Sequence, residues 1–156
     1  MNMLLILLIF LGVQWFKARP LASGSAPDLI AETTTAQHFE LARWRGQPVL
    51  VHFWAVWCPV CELEEHSIDA LSEDYRVMTI AMQSGSDADI NAYQQQQDVS
   101  FPVIADPYGE IATQWGVRGV PASFVIDANG MIRFASVGYS TSVGLRGRLW
   151  AADHIE

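Results

Sequence analysis

Cys58-Pro59-Val60-Cys61 places two thiols three residues apart, and a pair at that spacing can pass between dithiol and disulfide, moving two electrons. No other cysteine occurs in the 156 residues. Pro59 suits the first position of a helix, because the N–H it lacks is one the helix would leave unpaired. Cys58 is thereby expected as the N-cap. The unpaired N–H groups and positive end of a helix favour a thiolate there, and can draw its pKa from about 8.5 into roughly 3.5–7.5. Each tenfold gain in acidity corresponds to about 1.4 kcal/mol. Cys61 falls one turn up the same face, within disulfide reach but less exposed to solvent and to the helix end. The expected division of labour is attack on a partner's disulfide by the Cys58 thiolate, and resolution of the mixed disulfide by Cys61. Haem attachment would need His after the second cysteine, where Glu62 stands. Zinc would need two further ligands, and His52 and His66 are the nearby candidates, so no metal is expected. A structural disulfide across so short a loop would constrain little of the unfolded chain.

The elements that must hold the pair follow from pattern. Val49-Leu50-Val51-His52-Phe53-Trp54 is an almost continuous apolar run, the mark of a strand covered on both faces. The helix after Pro59 is expected to continue to about Asp74, with Cys61, Glu64, Ile68, Leu71 and Tyr75 on one stripe. Tyr75–Met82 reads as the next strand, parallel to the first through a right-handed crossover. Asp87–Val99 reads as a polar helix whose Gln94–Gln97 run is a solvated face. Phe101–Asp106 is a brief strand, and Tyr108–Trp115 a short helix closed by Gly116. Val120–Ile126 and Met131–Val137 form a hairpin about Asp127-Ala128-Asn129-Gly130. Thr33–Arg45 reads as short irregular strands and a turn, and Thr141–Ala152 as a final helix.

LARWRGQPVLVHFWAVWCPVC, followed some sixty residues later by GVPASFVID, resembles the thioredoxin superfamily. Within it the chain is most similar to the membrane-anchored periplasmic branch typified by TlpA, the cytochrome c maturation thioredoxins and the copper-sensitivity suppressor D proteins. The resemblance covers Asp28 to the end. It implies an α/β thioredoxin fold, a central mixed sheet flanked by helices, with the strand and helix of 101–115 as the insert of the TlpA-like branch. It implies a cis peptide at Val120-Pro121 facing the cysteines, where Val120 would offer its backbone to an extended substrate. Trp57, Pro59, Val60 and Val120 would then form an apolar lip around the reactive sulfur. It also assigns Glu64, three residues after the second cysteine, as a desolvated carboxyl that exchanges a proton with Cys61. Glu62 and Glu65 better fit solvated first-turn positions that complement the helix end. His52 departs from the family pattern: it is either a base for Cys61 with a pKa lowered by burial, or a neutral hydrogen-bonded core residue. Surface positions are expected for His38, His66 and His154, and packing roles for Trp54, Trp57 and Trp115.

Residues 1–16 are apolar and uncharged, and would span about 24 Å as a helix, short of the ~30 Å hydrocarbon core. The expectation is a retained membrane anchor, with an uncleaved signal as the alternative. Residues 17–27 would be a linker, and 28–156 the thioredoxin-like domain. From Asp28 onward seventeen acidic residues face seven arginines, a net charge near −10, and no basic stripe exists to neutralise phosphates, which excludes a nucleic-acid role. The expected activity is thiol–disulfide exchange on extracytoplasmic proteins from the periplasmic face of the inner membrane. It would run as a reductant or exchange catalyst fed by a membrane dithiol donor, with no cofactor beyond the Cys58–Cys61 disulfide. The rivals are a DsbA-type oxidant, which needs an unusually stable Cys58 thiolate, and a copper(I)-binding module using the two thiolates.

Overall fold

A strand without polar alternation has to be covered on both faces, and all six residues of Val49–Trp54 are buried in the middle of the sheet. The computed structural model describes residues 21–154 together with Met3, Leu5, Leu8 and Ile9. In chain order the strands are β1 Gly24–Ser25, β2 Ile30–Glu32, β3 His38–Glu40, β4 Val49–Trp54, β5 Arg76–Met82, β6 Val103–Asp106, β7 Ala122–Ile126 and β8 Met131–Val137. The α-helices are α1 Pro59–Glu62, α2 Glu65–Asp74, α3 Asp87–Gln97, α4 Glu110–Gln114 and α5 Ser142–His154, and a 3₁₀ turn covers Leu41–Trp44. Six strands form one sheet in the order β1-β8-β7-β4-β5-β6, and β2 and β3 pair separately. β4, β5 and β6 run parallel, whereas β7 and β8 are antiparallel to their neighbours, so the sheet is mixed. This is the thioredoxin fold expected from the sequence.

Alternation along β4 divides the core. Leu50 and Trp54 pack on one face with Cys58, Cys61, Ile68, Leu71, Leu145 and Leu149, so α1, α2 and α5 cover that side. Val49, Val51 and Phe53 pack on the other with Phe39, Leu41, Ala112, Trp115 and Phe124, under the β2–β3 pair, the 3₁₀ turn and α4. The β7–β8 turn is closed by Gly130 N–H donating to the Asp127 carbonyl at 3.0 Å, with Gly130 at φ +84°, a left-handed conformation that glycine adopts freely.

Three expectations are corrected. The helix after Pro59 is not continuous to Asp74: it breaks at Leu63–Glu64, where the Glu64 N–H donates to Cys61 O, three residues back, before α2 begins. The linker expected over 17–27 is partly sheet, since Gly24 and Ser25 pair with Ile132 and Met131 and Ala22 N–H donates to Trp115 O. An edge strand made through backbone alone leaves no side-chain pattern to read. The glutamine run is not wholly solvated, because Gln94 is buried and donates to Phe101 O at 2.8 Å. The expected anchor over 1–16 lies outside the described residues except for Met3, Leu5, Leu8 and Ile9, which are helical and exposed. Among the described residues no helix is long and apolar enough to cross a membrane.

Phe124 is fully buried on β7, with its ring 5.7 Å from that of Phe53 and 5.0 Å from that of Trp115, edge-on to both. Phe124→Ala should lower the unfolding free energy by roughly 3–5 kcal/mol, read from denaturant melts. A loss under about 1 kcal/mol would mean that this face of the core is not packed as described.

Candidate active site

The turn from β4 into α1 is pinned from the end of β5. Val56 N–H donates to Ser84 Oγ at 3.1 Å, Ser84 Oγ donates to Met82 O, and Trp57 Nε1–H donates to Gln83 O at 3.1 Å. Cys58 is left at the N-cap with extended backbone, and Pro59 opens the helix behind it. Cys58 Sγ accepts from the Cys61 N–H at 3.2 Å, and the two cysteines are joined by a disulfide with Cα atoms 5.3 Å apart. Across from them the Val120-Pro121 peptide is cis, and Val120 O lies 3.8 Å from Cys58 Sγ. Of the expected lip residues, Trp57, Pro59 and Val60 are exposed and Val120 is half-buried, while Pro121 beside it is buried. Leu63, not anticipated, is 73% exposed and extends the apolar rim along α1.

Such a site on this fold has relatives. A profile of the AhpC/TSA family matches residues 23–135. The chain belongs to that family. A thioredoxin-like protein of Haemophilus influenzae is 27% identical over 155 residues, 98% of this chain and 92% of its own. A thiol-disulfide oxidoreductase ResA of Bacillus anthracis is 30% identical over 128 residues, 80% and 74% of the two chains. Among solved structures, a thioredoxin-family thiol:disulfide interchange protein of Chlorobium tepidum superposes with a TM-score of 0.73 at 24% identity, covering 84% of this chain and 97% of that one. This AhpC/TSA member is a thioredoxin-like disulfide oxidoreductase.

Behind the cysteines of this oxidoreductase lies a polar pocket closed to water. Glu64 is fully buried at the α1–α2 break, where its Oε2 accepts from Ser140 N–H at 2.8 Å. His52 projects from β4 with Nε2 3.4 Å from Glu64 Oε1 and Nδ1 3.0 Å from Ser123 Oγ. Burial pushes the Glu64 carboxyl up to about 7, the larger of two opposing causes, the other being the Ser140 N–H that favours the anion. Burial also drives the His52 imidazolium down to about 3. The contact between them is therefore not an ion pair near neutral pH, because His52 stays neutral while Glu64 titrates.

Several residues here escaped the sequence. Glu65, expected to be solvated, is buried and accepts from Tyr93 OH at 2.9 Å, with burial raising its pKa. It lies four residues after Cys61 and three before Ile68, beside the buried stripe. Ser140 and Ser123 come from the β8–α5 loop and β7, and only the sheet register brings them to Glu64 and His52. Glu62, His38, His66 and His154 are exposed, in keeping with the surface positions expected of them.

The pH consequences oppose one another. Glu64 binds a proton more tightly folded than unfolded, so its contribution is present below about pH 4.5 and lost as pH rises through about 7. The depressed His52 acts in the other sense: stability is lost as pH falls from 6.5 toward about 3. Relative to the parent, Glu64→Gln should gain stability between about pH 4.5 and 7. The gain should total roughly 3 kcal/mol, because each tenfold difference in proton affinity between folded and unfolded chain is worth about 1.4 kcal/mol. Denaturant melts of the oxidised proteins across that range measure it, and a difference independent of pH would show that Glu64 is not desolvated.

Proposed function

We propose that the protein catalyses thiol–disulfide exchange on other proteins outside the cytoplasm, in the reducing direction. The observation that carries the reading is the N-cap geometry of Cys58, bonded to Cys61 and set beside an exposed apolar rim and the Val120 carbonyl. In the dithiol form the helix end favours the Cys58 thiolate, which attacks one sulfur of a substrate disulfide and expels the other as thiolate. Cys61 loses its proton, attacks Cys58 Sγ and releases the second substrate thiolate. Two electrons have passed to the substrate, and Cys58–Cys61 remains as the disulfide. Glu64 takes up and returns the Cys61 proton in this reading, which a carboxyl titrating near 7 supports. Trp57, Pro59, Val60, Val120 and Pro121 form the surface for an extended cysteine-bearing segment, with main-chain pairing at Val120.

A dithiol donor in the membrane would return the pair to its reduced form, and the apolar run of residues 1–16 would hold the domain at the periplasmic face of the inner membrane. The ResA name of one relative supports the oxidoreductase reading and leaves direction to measurement.

The test is the equilibrium reduction potential of Cys58–Cys61 against a glutathione or dithiothreitol series. A reductant is expected near thioredoxin's value of about −270 mV, whereas a value near −120 mV would overturn the reductive direction in favour of a DsbA-type oxidant. Cys61→Ser should in addition accumulate a mixed disulfide between Cys58 and a disulfide-bearing peptide, detected as an adduct by intact-mass measurement. Absence of any adduct would remove Cys58 as the attacking group.

A further inference from the structure

Beneath the cysteines a row of polar side chains crosses the sheet. Thr79 on β5, His52 on β4, Ser123 on β7 and Ser136 on β8 stand opposite one another in register. Their surroundings on this face are apolar, with Leu50, Trp54 and Val125 among them. The ends of the row are already committed. Thr79 Oγ1 accepts from Trp54 Nε1–H and donates to Pro102 O, while Ser136 Oγ accepts from the Arg148 guanidinium at 2.9 Å. In the middle, His52 reaches Ser123 with one ring nitrogen and Glu64 with the other. Glu64 Oε2 is held by Ser140 N–H, whereas Oε1 is buried and has no hydrogen-bond partner among the described residues, His52 Nε2 at 3.4 Å being the polar atom that faces it.

A neutral imidazole has one N–H and one bare nitrogen, so it can answer a carboxyl in either protonation state by changing which nitrogen carries the hydrogen. When Glu64 is protonated on Oε1, its O–H donates to Nε2, and Nδ1–H donates to Ser123 Oγ. When Glu64 is ionised, Nε2–H donates to Oε1, and the Ser123 hydroxyl rotates to donate to Nδ1. Between the two states one proton leaves the carboxyl, the ring hydrogen moves from Nδ1 to Nε2, and the imidazole carries no charge in either.

We propose that His52 is a positioning residue for Glu64, a neutral imidazole whose tautomer inverts with the carboxyl's protonation while Ser123 satisfies the remaining nitrogen. This rests on Glu64 being the proton-exchanging group for Cys61. The arrangement lets a buried carboxyl cycle its proton without leaving Oε1 unanswered in a site that excludes water, a loss that costs about 1–3 kcal/mol for a neutral polar group and more for a charged one. Of the two readings left open for His52, this one extends the second: a neutral, hydrogen-bonded core residue that also serves Glu64.

Other titratable groups on the surrounding elements are accounted for. Cys58 and Cys61 do not titrate while they are bonded to each other. Glu62, His66 and Tyr139 are exposed, Glu65 is bonded to Tyr93 of α3, and Arg148 of α5 is bonded to Ser136. The shifts of His52 and Glu64 arise from burial and the Ser140 N–H, with no charged side chain contributing to either.

The experiment is long-range ¹⁵N–¹H correlation NMR on the full-length oxidised protein labelled with ¹⁵N-histidine, between pH 5.5 and 8.5, with His52→Asn identifying the signal. The expected result is an Nδ1–H tautomer at the acid end, an Nε2–H tautomer at the alkaline end, and a midpoint near 7, the value set by Glu64. In Glu64→Gln the inversion should vanish and Nδ1–H persist. Ser140 N–H requires the amide oxygen at the Oε2 position, which turns the NH₂ toward His52 Nε2. One tautomer at every pH in the parent protein, an imidazolium within the range, or an inversion that survives Glu64→Gln would each overturn the proposal. Because the readout uses the disulfide form, it is independent of turnover. A protein that exchanges disulfides but shows no inversion loses the role of His52 alone, and one that inverts but exchanges nothing loses the proposed function alone.

Discussion

β4 has no solvent on either face, and the chemistry hangs from it. Its carboxyl end delivers the chain into the Ala55–Trp57 turn, which the end of β5 ties down through Ser84 and Gln83, so Cys58 emerges at a fixed place. Its antiparallel neighbour β7 begins directly after Pro121, which sets Val120 O against Cys58 Sγ from the opposite side. Its interior carries His52. A strand in that position tolerates no unanswered polar group, since desolvating one costs about 1–3 kcal/mol if no hydrogen bond replaces water. That constraint explains why Thr79, His52 and Ser123, three polar residues in one register row, each have a bonding partner.

Much of this was legible in the sequence, for reasons specific to the residues concerned. The buried central strand, the N-cap cysteine and the Asp127–Gly130 hairpin are local signals, carried by runs of six residues or fewer in which side-chain type and backbone conformation are tightly linked. The break at Leu63–Glu64 was not legible, because no proline or glycine marks it and the apolar stripe of Cys61, Ile68 and Leu71 reads as continuous. Glu65 was misjudged for its charge, since its spacing from Cys61 and Ile68 sets it beside that stripe and Tyr93 answers its carboxyl. β1 was invisible for another reason: Gly24 and Ser25 contribute only backbone to the edge of β8. Ser123 and Ser140 could be joined to His52 and Glu64 only once pairing register was known, since each lies 70 or more positions away in the chain.

Two buried carboxylates in the same molecule show what sets Glu64 apart. Asp127 is as nearly inaccessible as Glu64, and burial alone would raise its pKa too. It is nevertheless held below the usual carboxylate range, because the N–H groups of Met131 and Asn129 and the Arg133 guanidinium all donate to it. Those donors stabilise the anion by more than desolvation destabilises it, and the carboxylate serves as a permanent staple of the β7–β8 turn. Glu64 has one backbone donor and a neutral ring in place of two backbone donors and a cation, so desolvation prevails and the proton stays until about pH 7. The number and charge of the donors, together with the deeper setting of Glu64, make the difference.

That contrast bears on why a histidine suits position 52. A cation there would do for Glu64 what Arg133 does for Asp127: fix the anion, lower its pKa and end the proton-carrying role proposed for it near neutral pH. An apolar residue would leave Oε1 with no answer at all when the carboxyl ionises, pushing the proton affinity higher still. A neutral imidazole held far from its own protonation by burial avoids both outcomes, because it offers a donor or an acceptor as required without adding charge. The same desolvation that raises Glu64 is what keeps His52 neutral, so one physical cause, exclusion of water from the face of β4 beneath the cysteines, supplies both halves of the arrangement. Thiol exchange needs a proton to be taken from and returned to a buried sulfur near neutral pH, and a carboxyl balanced in this way is chemically matched to that demand.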